Sequence, residues 1–294
     1  MSSILSTNID ETRNIISEWK KEGYSVGFVP TMGALHEGHK SLIQKATEKC
    51  DKVVVSIFVN PIQFGPNEDY DKYPRTLDAD KHICDENKVD LIFAPTASEM
   101  YGESIKNSKG ISNNNFTFVY PPYDFVDTLC GKSRTGHFDG VATVVLKLFN
   151  IVAPNYAFFG QKDAQQLIII EKMVRDLNIP IEIIPCPIIR DKDGLALSSR
   201  NKYLSQEARV KALTISKSLK QIQELFNKGI NDPKILLDSS ISTLDKNIEL
   251  EYLEFVDLNS LEKIDIINKK TLVAIAAKVD NVRLIDNIII GEDR

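Results

Sequence analysis

The stretch Ser25-Val26-Gly27-Phe28-Val29-Pro30-Thr31-Met32-Gly33-Ala34-Leu35-His36-Glu37-Gly38-His39 decides how this chain is read. Its first six residues form a short apolar run bounded by turn formers, the pattern of a buried strand. Residues 38–50 then carry helical spacing, so PTMGALHEGH falls where a strand ends and a helix begins. Such a junction favours anions. Backbone N–H groups and the helix dipole point outward there, and glycines let a phosphate approach the main chain. Two imidazoles three positions apart, His36 and His39, can donate to a triphosphate as its phosphorus becomes pentacoordinate. A zinc site is the competing reading. HExxH needs four-residue spacing on one continuous helix, whereas these histidines are three apart across a glycine with no obvious third ligand nearby.

Working outward, Ile15, Ile16 and Trp19 recur at helical spacing across residues 10–22. Residues 52–59 (KVVVSIFV) and 89–94 (VDLIFA) are too short and too β-branched for helices, and a polar helical stretch over 77–87 separates them. The alternation continues with a helix over 140–152, a strand over 156–159, a helix over 163–177 and a strand over 181–185. This predicts an α/β fold: a doubly wound, mostly parallel, Rossmann-like sheet with ligands at the carboxyl ends of its strands. Asp191-Lys192-Asp193-Gly194 reads as a tight turn, because the later ligands of an EF-hand loop are missing. Beyond it, helices over 205–227 and 233–247 precede strands over 250–257, 271–278 and 283–290, a smaller α+β domain. Pro185 and Pro187 punctuate the last strand of the first half and place the boundary between domains 1–187 and 188–294. Residues 101–125 read as a polar excursion with hairpin strands. No internal repeat appears, which argues against a solenoid.

The chain has 294 residues, with 36 Lys and Arg against 41 Asp and Glu, and a formal net charge of −5. Hydrophobic residues at 43% and charged residues at 26% match an ordinary globular domain, so the chain is neither disordered nor fibrous. A pI near 5.5 argues against a nucleic-acid-coating surface but leaves room for a basic pocket that holds one nucleotide. No apolar run reaches the ~18 residues of a membrane span, and residues 1–7 lack a signal-like pattern. A cytoplasmic protein, without membrane or nucleic-acid partners, is expected. Cys50, Cys84, Cys130 and Cys186 are widely spaced and fit reduced thiols, with Cys84 and Cys186 as small core residues.

Leu197-Ser198-Ser199-Arg200-Asn201 follows the last strand of the first half. Alone, its serines and Arg200 would be an N-cap and a solvated charge ahead of the helix at Ser205. Paired with HxGH after the first strand, the same hydroxyls and guanidinium suit β- and γ-phosphates. The pair resembles the HIGH and KMSKS signatures of the nucleotidylyltransferase superfamily. Further segments narrow the match: Ser56-Ile57-Phe58-Val59-Asn60-Pro61-Ile62-Gln63-Phe64-Gly65, Tyr73-Pro74-Arg75-Thr76, Arg134-Thr135-Gly136-His137-Phe138-Asp139-Gly140, and Phe158-Phe159-Gly160-Gln161-Lys162-Asp163-Ala164-Gln165-Gln166. With PTMGALHEGH and DGLALSSRN they closely resemble the pantothenate synthetase (pantoate–β-alanine ligase) family, from about residue 4 to residue 290.

The resemblance implies an ATP-dependent ligase that condenses (R)-pantoate with β-alanine through a pantoyl adenylate. AMP and pyrophosphate are released, Mg2+ accompanies ATP, and the protein is a homodimer. It implies an ATP site along Met32, Gly33, Ala34, Leu35, His36, Glu37, Gly38 and His39, with His39 as the general acid for pyrophosphate departure and His36 holding the phosphates. Gly160, Gln161, Lys162 and Asp163 match a strand-end motif for ribose and phosphate, Lys162 acting as a point charge. Ile189 matches a backbone contact to adenine; Leu197, Ser198, Ser199 and Arg200 match a loop that closes over the phosphates. His39, His36, Lys162 and Arg200 are the expected catalytic set.

Gln63 and Gln166 match the amide pair that holds pantoate, with Asn60 on the same segment and Arg134 and His137 near the pantoate and β-alanine end. Asp78 and Asp80 open a helix, where a carboxylate pair is a cap, a dipole partner or a neighbour of magnesium; the metal ligands stay unassigned. The smaller domain is expected to serve as a lid, and apolar residues over 54–64 to stand near a dimer interface. Thr135 stands where many relatives carry proline, and Lys132-Ser133 where a glycine-containing turn is common; neither change removes a hydrogen-bonding group. An adenylyltransferase that stops at AMP transfer, and a catalytically silent nucleotide- or RNA-binding module, are the competing functions. Acidic net charge and the intact reactive residues weigh against the second.

Overall fold

Alternate residues of a strand face opposite sides of a sheet, and the opening strand obeys that period. The computed structural model describes residues 2–66, 68–102 and 116–292. In β2 (Val26–Thr31), Phe28 meets Phe149 of a later helix edge-to-face at 6.4 Å, whereas Val29 joins the core on the other face. Six strands form one parallel sheet in the order β1-β4-β3-β2-β5-β6, the others being β1 (Ile4–Ser6), β3 (Lys52–Ile57), β4 (Leu91–Phe93), β5 (Tyr156–Gly160) and β6 (Glu182–Cys186). Among the helices between them are α1 (Ile9–Lys21), α2 (Glu37–Lys49), α3 (Leu77–Glu86), α4 (Ala97–Tyr101), α5 (Tyr123–Val126), α6 (Leu129–Ser133), α7 (His137–Val152) and α8 (Ala164–Asp176). The doubly wound sheet is therefore the expected one.

Two units emerge. The first comprises Met1–Pro121, Arg134–Gln161 and Ile169–Pro187; the second comprises Pro122–Ser133, Lys162–Ile168 and Ile188–Arg294. In the first, Leu42, Ile43 and Ala46 of α2 cover Val29, Val53, Val55 and Ile92, with Cys84 and Cys186 in the same apolar cluster. Burial pushes the Cys84 thiol up to about 12 and the Cys50 thiol up to about 11, and it raises Cys186 as well. All four cysteines are free thiols. Among the described residues no helix is long and apolar enough to cross a membrane.

The winding reverses at β2. The chain runs from β2 out to β3 and β4, then returns to place β5 on the opposite side of β2. Ligands of open α/β sheets bind at such a switch point, outside the carboxyl ends of the flanking strands. A proline inside a central strand would ordinarily cost a ladder bond. Here β2 pairs with β5 only through Gly27 with Tyr156 and Phe28 with Ala157. The Val26 N–H donates to the Asn155 side-chain carbonyl and the Asn155 N–H to the Val26 carbonyl, so by alternation Pro30 also faces the β5 side, beyond the last pair. Its missing N–H falls where the two strands have already parted.

The second unit holds an antiparallel sheet of β7 (Glu249–Asp257), β8 (Thr271–Val279) and β9 (Val282–Ile290). Helices α9 (Gln206–Asn227) and α10 (Pro233–Ile241) contribute Ala212, Ile215, Leu219, Ile222 and Leu236 to its core, against Val273 and Ile275. Ser205 caps α9 through the Ala208 N–H, and Asp232 caps α10 through the Lys234 N–H. Residues 191–194 form the expected tight turn: the Gly194 N–H donates to the Asp191 carbonyl, and Arg209 pairs with both Asp191 and Asp193.

One expectation needs correction, one strand is unanticipated, and one expectation falls largely outside the described residues. The helix expected over 233–247 stops at Ile241, where serine-rich turns replace it; the Asp245 main chain instead donates to Thr214. β1 has no counterpart in the sequence reading, because three residues are too few to show a period. The hairpin strands expected over 101–125 are not found among the described residues: Tyr101 ends a helix, residues 116–121 pair in no strand, and Tyr123–Val126 is helical. Residues 103–115 lie outside the described residues.

Gly140 sits where α7 meets the main chain of a 3₁₀ turn, Pro61–Gln63; a Cβ there would stand 2.4 Å from the Ile62 carbonyl oxygen and 2.7 Å from the Gln63 Cα. Backbone on both sides cannot give way cheaply. Gly140→Ala should destabilise the protein by about 1–3 kcal/mol in urea unfolding. An unchanged midpoint and slope would contradict the packing described.

Candidate active site

Between Thr31 and α2 the chain must turn within five residues, and it does so through two consecutive left-handed positions, Gly33 at φ +81° and Ala34 at φ +51°. Glycine is required at the first, since a Cβ would lie 2.9 Å from Asp80 Oδ2 and 3.0 Å from Ile57 Cγ2. Ala34 has no such freedom, and a non-glycine residue held there costs about 1–3 kcal/mol. Asp80 supplies the restraint. Its Oδ2 accepts from the Ala34 N–H at 2.9 Å and the Thr76 hydroxyl at 3.2 Å, and its Oδ1 accepts from the Leu35 N–H at 2.8 Å. The side chain is 1% exposed. Asp80 is therefore not a cap of its own helix α3: both its oxygens are committed to the loop, while Asp78 is exposed. Thr31 completes the turn, accepting from the Gly33 N–H and donating to the Ser56 carbonyl.

The spacing of the two histidines now has a cause. His36 is the N-cap of α2, and its Nδ1 accepts from the Gly38 N–H at 3.1 Å; His39, at N3, accepts at Nδ1 from the His36 N–H at 3.2 Å. This is a capping box in which imidazoles replace Ser and Glu. The ring centroids are 4.1 Å apart. A ring that accepts at Nδ1 carries its proton on Nε2 when neutral, so each histidine offers an Nε2–H donor. Protonation at Nδ1 would cost a cap bond and set a cation at a helix amino terminus.

Met32 links this loop to a second element. Its sulfur accepts from Gln63 Nε2 at 3.1 Å. Asn60 Nδ2 donates to Gln63 Oε1 at 2.9 Å and to the Gly140 carbonyl at 3.2 Å, and the Tyr101 hydroxyl donates to Asn60 Oδ1 at 2.7 Å. Burial raises the Tyr101 phenol far above its ordinary range. Asn60 is thus spent on orienting Gln63. Arg134 donates through Nε and Nη2 to Glu68 at 2.7 and 2.6 Å, and its Nη1 meets His137 Nε2 at 2.8 Å. His137 Nδ1 in turn meets the Gln63 carbonyl at 2.7 Å. Burial works to raise the Glu68 carboxyl, but the Arg134 bonds and charge outweigh it and hold the group below its ordinary value.

Gly160 ends β5, and Gln161 opens the 3₁₀ turn Gln161–Asp163. In the second unit, Lys162 lies 3.9 Å from the Asp163 carboxylate, and its carbonyl accepts from Asn287 Nδ2 at 2.9 Å. Gln166 is half-buried. Its neighbour Gln165, not singled out from the sequence, donates to the Phe125 and Thr128 carbonyls at 2.9 Å each. The Ile189 carbonyl accepts from the Leu197 N–H. Ser198 caps the 3₁₀ turn Ser199–Tyr203 through the Arg200 N–H at 3.3 Å, while Ser205 caps α9. The first unit thus gathers Met32 to His39, Gly160 and Gln161 at strand carboxyl ends, with Gln63, Asn60, Arg134 and His137 in one connected network; the second carries Lys162, Asp163, Gln166, Ile189 and residues 197–200.

Comparison with known proteins adds an independent finding. The family described as pantoate-beta-alanine ligase matches residues 4–289. The chain is 48% identical to a pantothenate synthetase of Caldicellulosiruptor saccharolyticus over 284 residues, covering 96% of this chain and 97% of that one. It is 50% identical to one of Ruminiclostridium cellulolyticum over 281 residues, 95% of this chain and 96% of the relative. A crystal structure of pantothenate synthetase from Thermus thermophilus superposes with a TM-score of 0.89 at 39% identity, covering 97% and 98% of the two chains. The Francisella tularensis pantoate-beta-alanine ligase, crystallised with beta-gamma ATP and beta-alanine, gives 0.78 at 38% identity over 98% and 97%.

Asp80→Ala would leave the Ala34 and Leu35 N–H groups without their acceptor. We expect a loss of about 1–3 kcal/mol in stability, together with weaker nucleotide binding in calorimetric titration. Unchanged stability and nucleotide affinity would show that the loop holds itself.

Proposed function

The chain belongs to the pantoate–β-alanine ligase family, and from that premise we infer how its residues divide the reaction it catalyses, the condensation of pantoate with β-alanine to pantothenate. We propose two successive half-reactions. A pantoate carboxylate oxygen attacks the α-phosphorus of ATP, and the bond from that phosphorus to the pyrophosphate oxygen breaks. The β-alanine amine then attacks the acyl carbon of the pantoyl adenylate, AMP leaves with the electron pair of the broken C–O bond, and the nitrogen loses a proton. The observation that carries this reading is the coupling, through Met32, of an anion-binding helix terminus to the buried amide of Gln63.

ATP phosphates take the positive end of α2 and the Nε2–H groups of His36 and His39. Because Nδ1 of His39 is committed to a main-chain N–H, its role is to donate a hydrogen bond to charge gathering on the departing pyrophosphate. Lys162 and Arg200 add charge, Ser198 and Ser199 add hydroxyls, Gly160, Gln161 and Asp163 serve phosphate and ribose, and Ile189 and Leu197 flank adenine. Gln63 and Gln166 hold the pantoate hydroxyl and carboxylate, with a donor and an acceptor on each amide.

Mg2+ bound together with ATP would offset part of the phosphate charge. Among the described residues no three His, Cys, Asp or Glu side chains form a cation cage, and Asp80 is committed to the loop. Mg2+ favours phosphate oxygens and water as ligands.

A homodimer is part of the same proposal. Within the segment 54–64, Val54, Val55 and Phe58 are buried in the first unit, whereas Ile57, Val59, Ile62 and Phe64 are partly exposed. Phe116, Phe118 and Tyr120 form a ladder of rings 5.6 and 6.0 Å apart that ends at a 67%-exposed tyrosine, a second apolar surface for that role. Tyr120→Asp should lower the mass seen by light scattering, and an unaltered dimer would exclude this surface.

The chemistry is tested with pantoate carrying ¹⁸O in its carboxylate. One label should appear in AMP, and AMP release should require β-alanine; AMP without label would refute the adenylate, and pyrophosphate release with no free AMP even in the presence of β-alanine would favour a simple adenylyl transfer. His36→Asp and His39→Glu keep acceptors for the capping box but carry no N–H donor, so adenylate formation should slow by at least about 10²–10³-fold. Reaction of preformed pantoyl adenylate with β-alanine should change far less. Equal losses in both half-reactions would contradict the division of roles.

A further inference from the structure

Glu68 stands outside every stretch that the chemistry above uses, yet it anchors a chain of bonds that ends on Gln63. Its carboxylate and the Arg134 guanidinium are both largely buried, with side chains 25% and 18% exposed. The two parallel bonds of 2.7 and 2.6 Å are the fork geometry in which arginine recognises a carboxylate. Arg134 therefore already holds a carboxylate supplied by its own chain. An Nη1–H on His137 Nε2 leaves that nitrogen no role but acceptor, so the ring proton sits on Nδ1 and is donated to the Gln63 carbonyl. This tautomer is opposite to that of His36 and His39. Gln63 is thereby pinned at its main chain by His137 and at its side chain by Asn60 and Met32.

We propose that Glu68 is a positioning residue for pantoate: through Arg134 and His137 it fixes the main chain of Gln63 and so the direction of the Gln63 amide. On this reading Arg134 and His137 serve the substrate through Gln63 rather than by contact. The inference rests on Gln63 holding pantoate, as proposed above. A small substrate grips few atoms, so an error of about 1 Å in one amide costs much of its alignment. The charge of Glu68 also occupies the one planar fork in this network, which otherwise would be open to capture the pantoate carboxylate and hold it away from the α-phosphorus.

The test uses the full-length enzyme and the variants Glu68→Gln and Arg134→Lys, each checked for an intact melting transition. Glu68→Gln should raise the KM for pantoate about 10-fold, while the KM for ATP stays within about twofold. The double variant should be no worse than the weaker single, because both break one chain. A second readout needs no pantoate. Long-range ¹H–¹⁵N spectra of the imidazoles, of which the chain has four, should show His137 protonated at Nδ1 and His36 and His39 at Nε2. Glu68→Gln should move only His137 toward a mixture of tautomers. An unchanged pantoate KM, or a His137 signal indifferent to Glu68, would overturn the relay. If the wild-type enzyme bound ATP but not pantoate, the reading of Gln63 would fall and the substrate role of Glu68 with it, while the spectra would still decide whether the bond chain exists.

Discussion

The rest of the site depends on one buried carboxylate. Asp80 accepts two successive main-chain N–H groups from a loop that leaves β2 through left-handed conformations at Gly33 and Ala34. Without that acceptor the loop would carry backbone strain and unpaired buried donors together, which few short segments tolerate. With it, the loop delivers His36 to the first position of α2, and the capping box sets both imidazoles. A pair of hydrogen bonds made by a residue on another helix thus determines where α2 begins.

The same economy governs the chemistry. Each histidine commits its Nδ1 to the start of a helix, and the proposed phosphate contact uses the other nitrogen, so the two roles draw on different atoms of one ring. Position matters as much as identity: the parting of β2 and β5 just before Pro30 opens the sheet at its switch point, and the loop stands at that opening. The bond from Gln63 to Met32 then ties the element proposed to hold pantoate to the loop proposed to hold ATP, within a single unit. An acyl adenylate is prone to hydrolysis, and activation and transfer in one place shorten its exposure.

Much of this is legible in the sequence, and the limits are physical. The βαβ alternation shows because apolar runs of strand length recur between helical stretches, whereas β1 has three residues and α10 ends among serines that carry no stop signal. Gln63 and Asn60 can be singled out as uncharged amides at a strand end, and the histidine spacing argues against zinc. The spacing alone does not reveal a capping box, since that motif is normally recognised by Ser or Thr and Glu or Gln. Asp80 and Glu68 are illegible for a different reason. Their partners lie 45 and 46 positions away in one case and 66 in the other, so no local pattern distinguishes them from solvated acids. The inclusion of residues 122–133 and 162–168 in the second unit is likewise a matter of distant packing.

The most direct measurement is a crystal structure of the protein with a non-hydrolysable ATP analogue. Phosphate oxygens are expected within hydrogen-bond reach of Nε2 of both His36 and His39, with the Nδ1 cap bonds and the Asp80 contacts intact. A nucleotide bound away from this loop, or imidazoles turned so that Nδ1 faces phosphate and the cap is broken, would contradict the phosphate-binding role of the capping box.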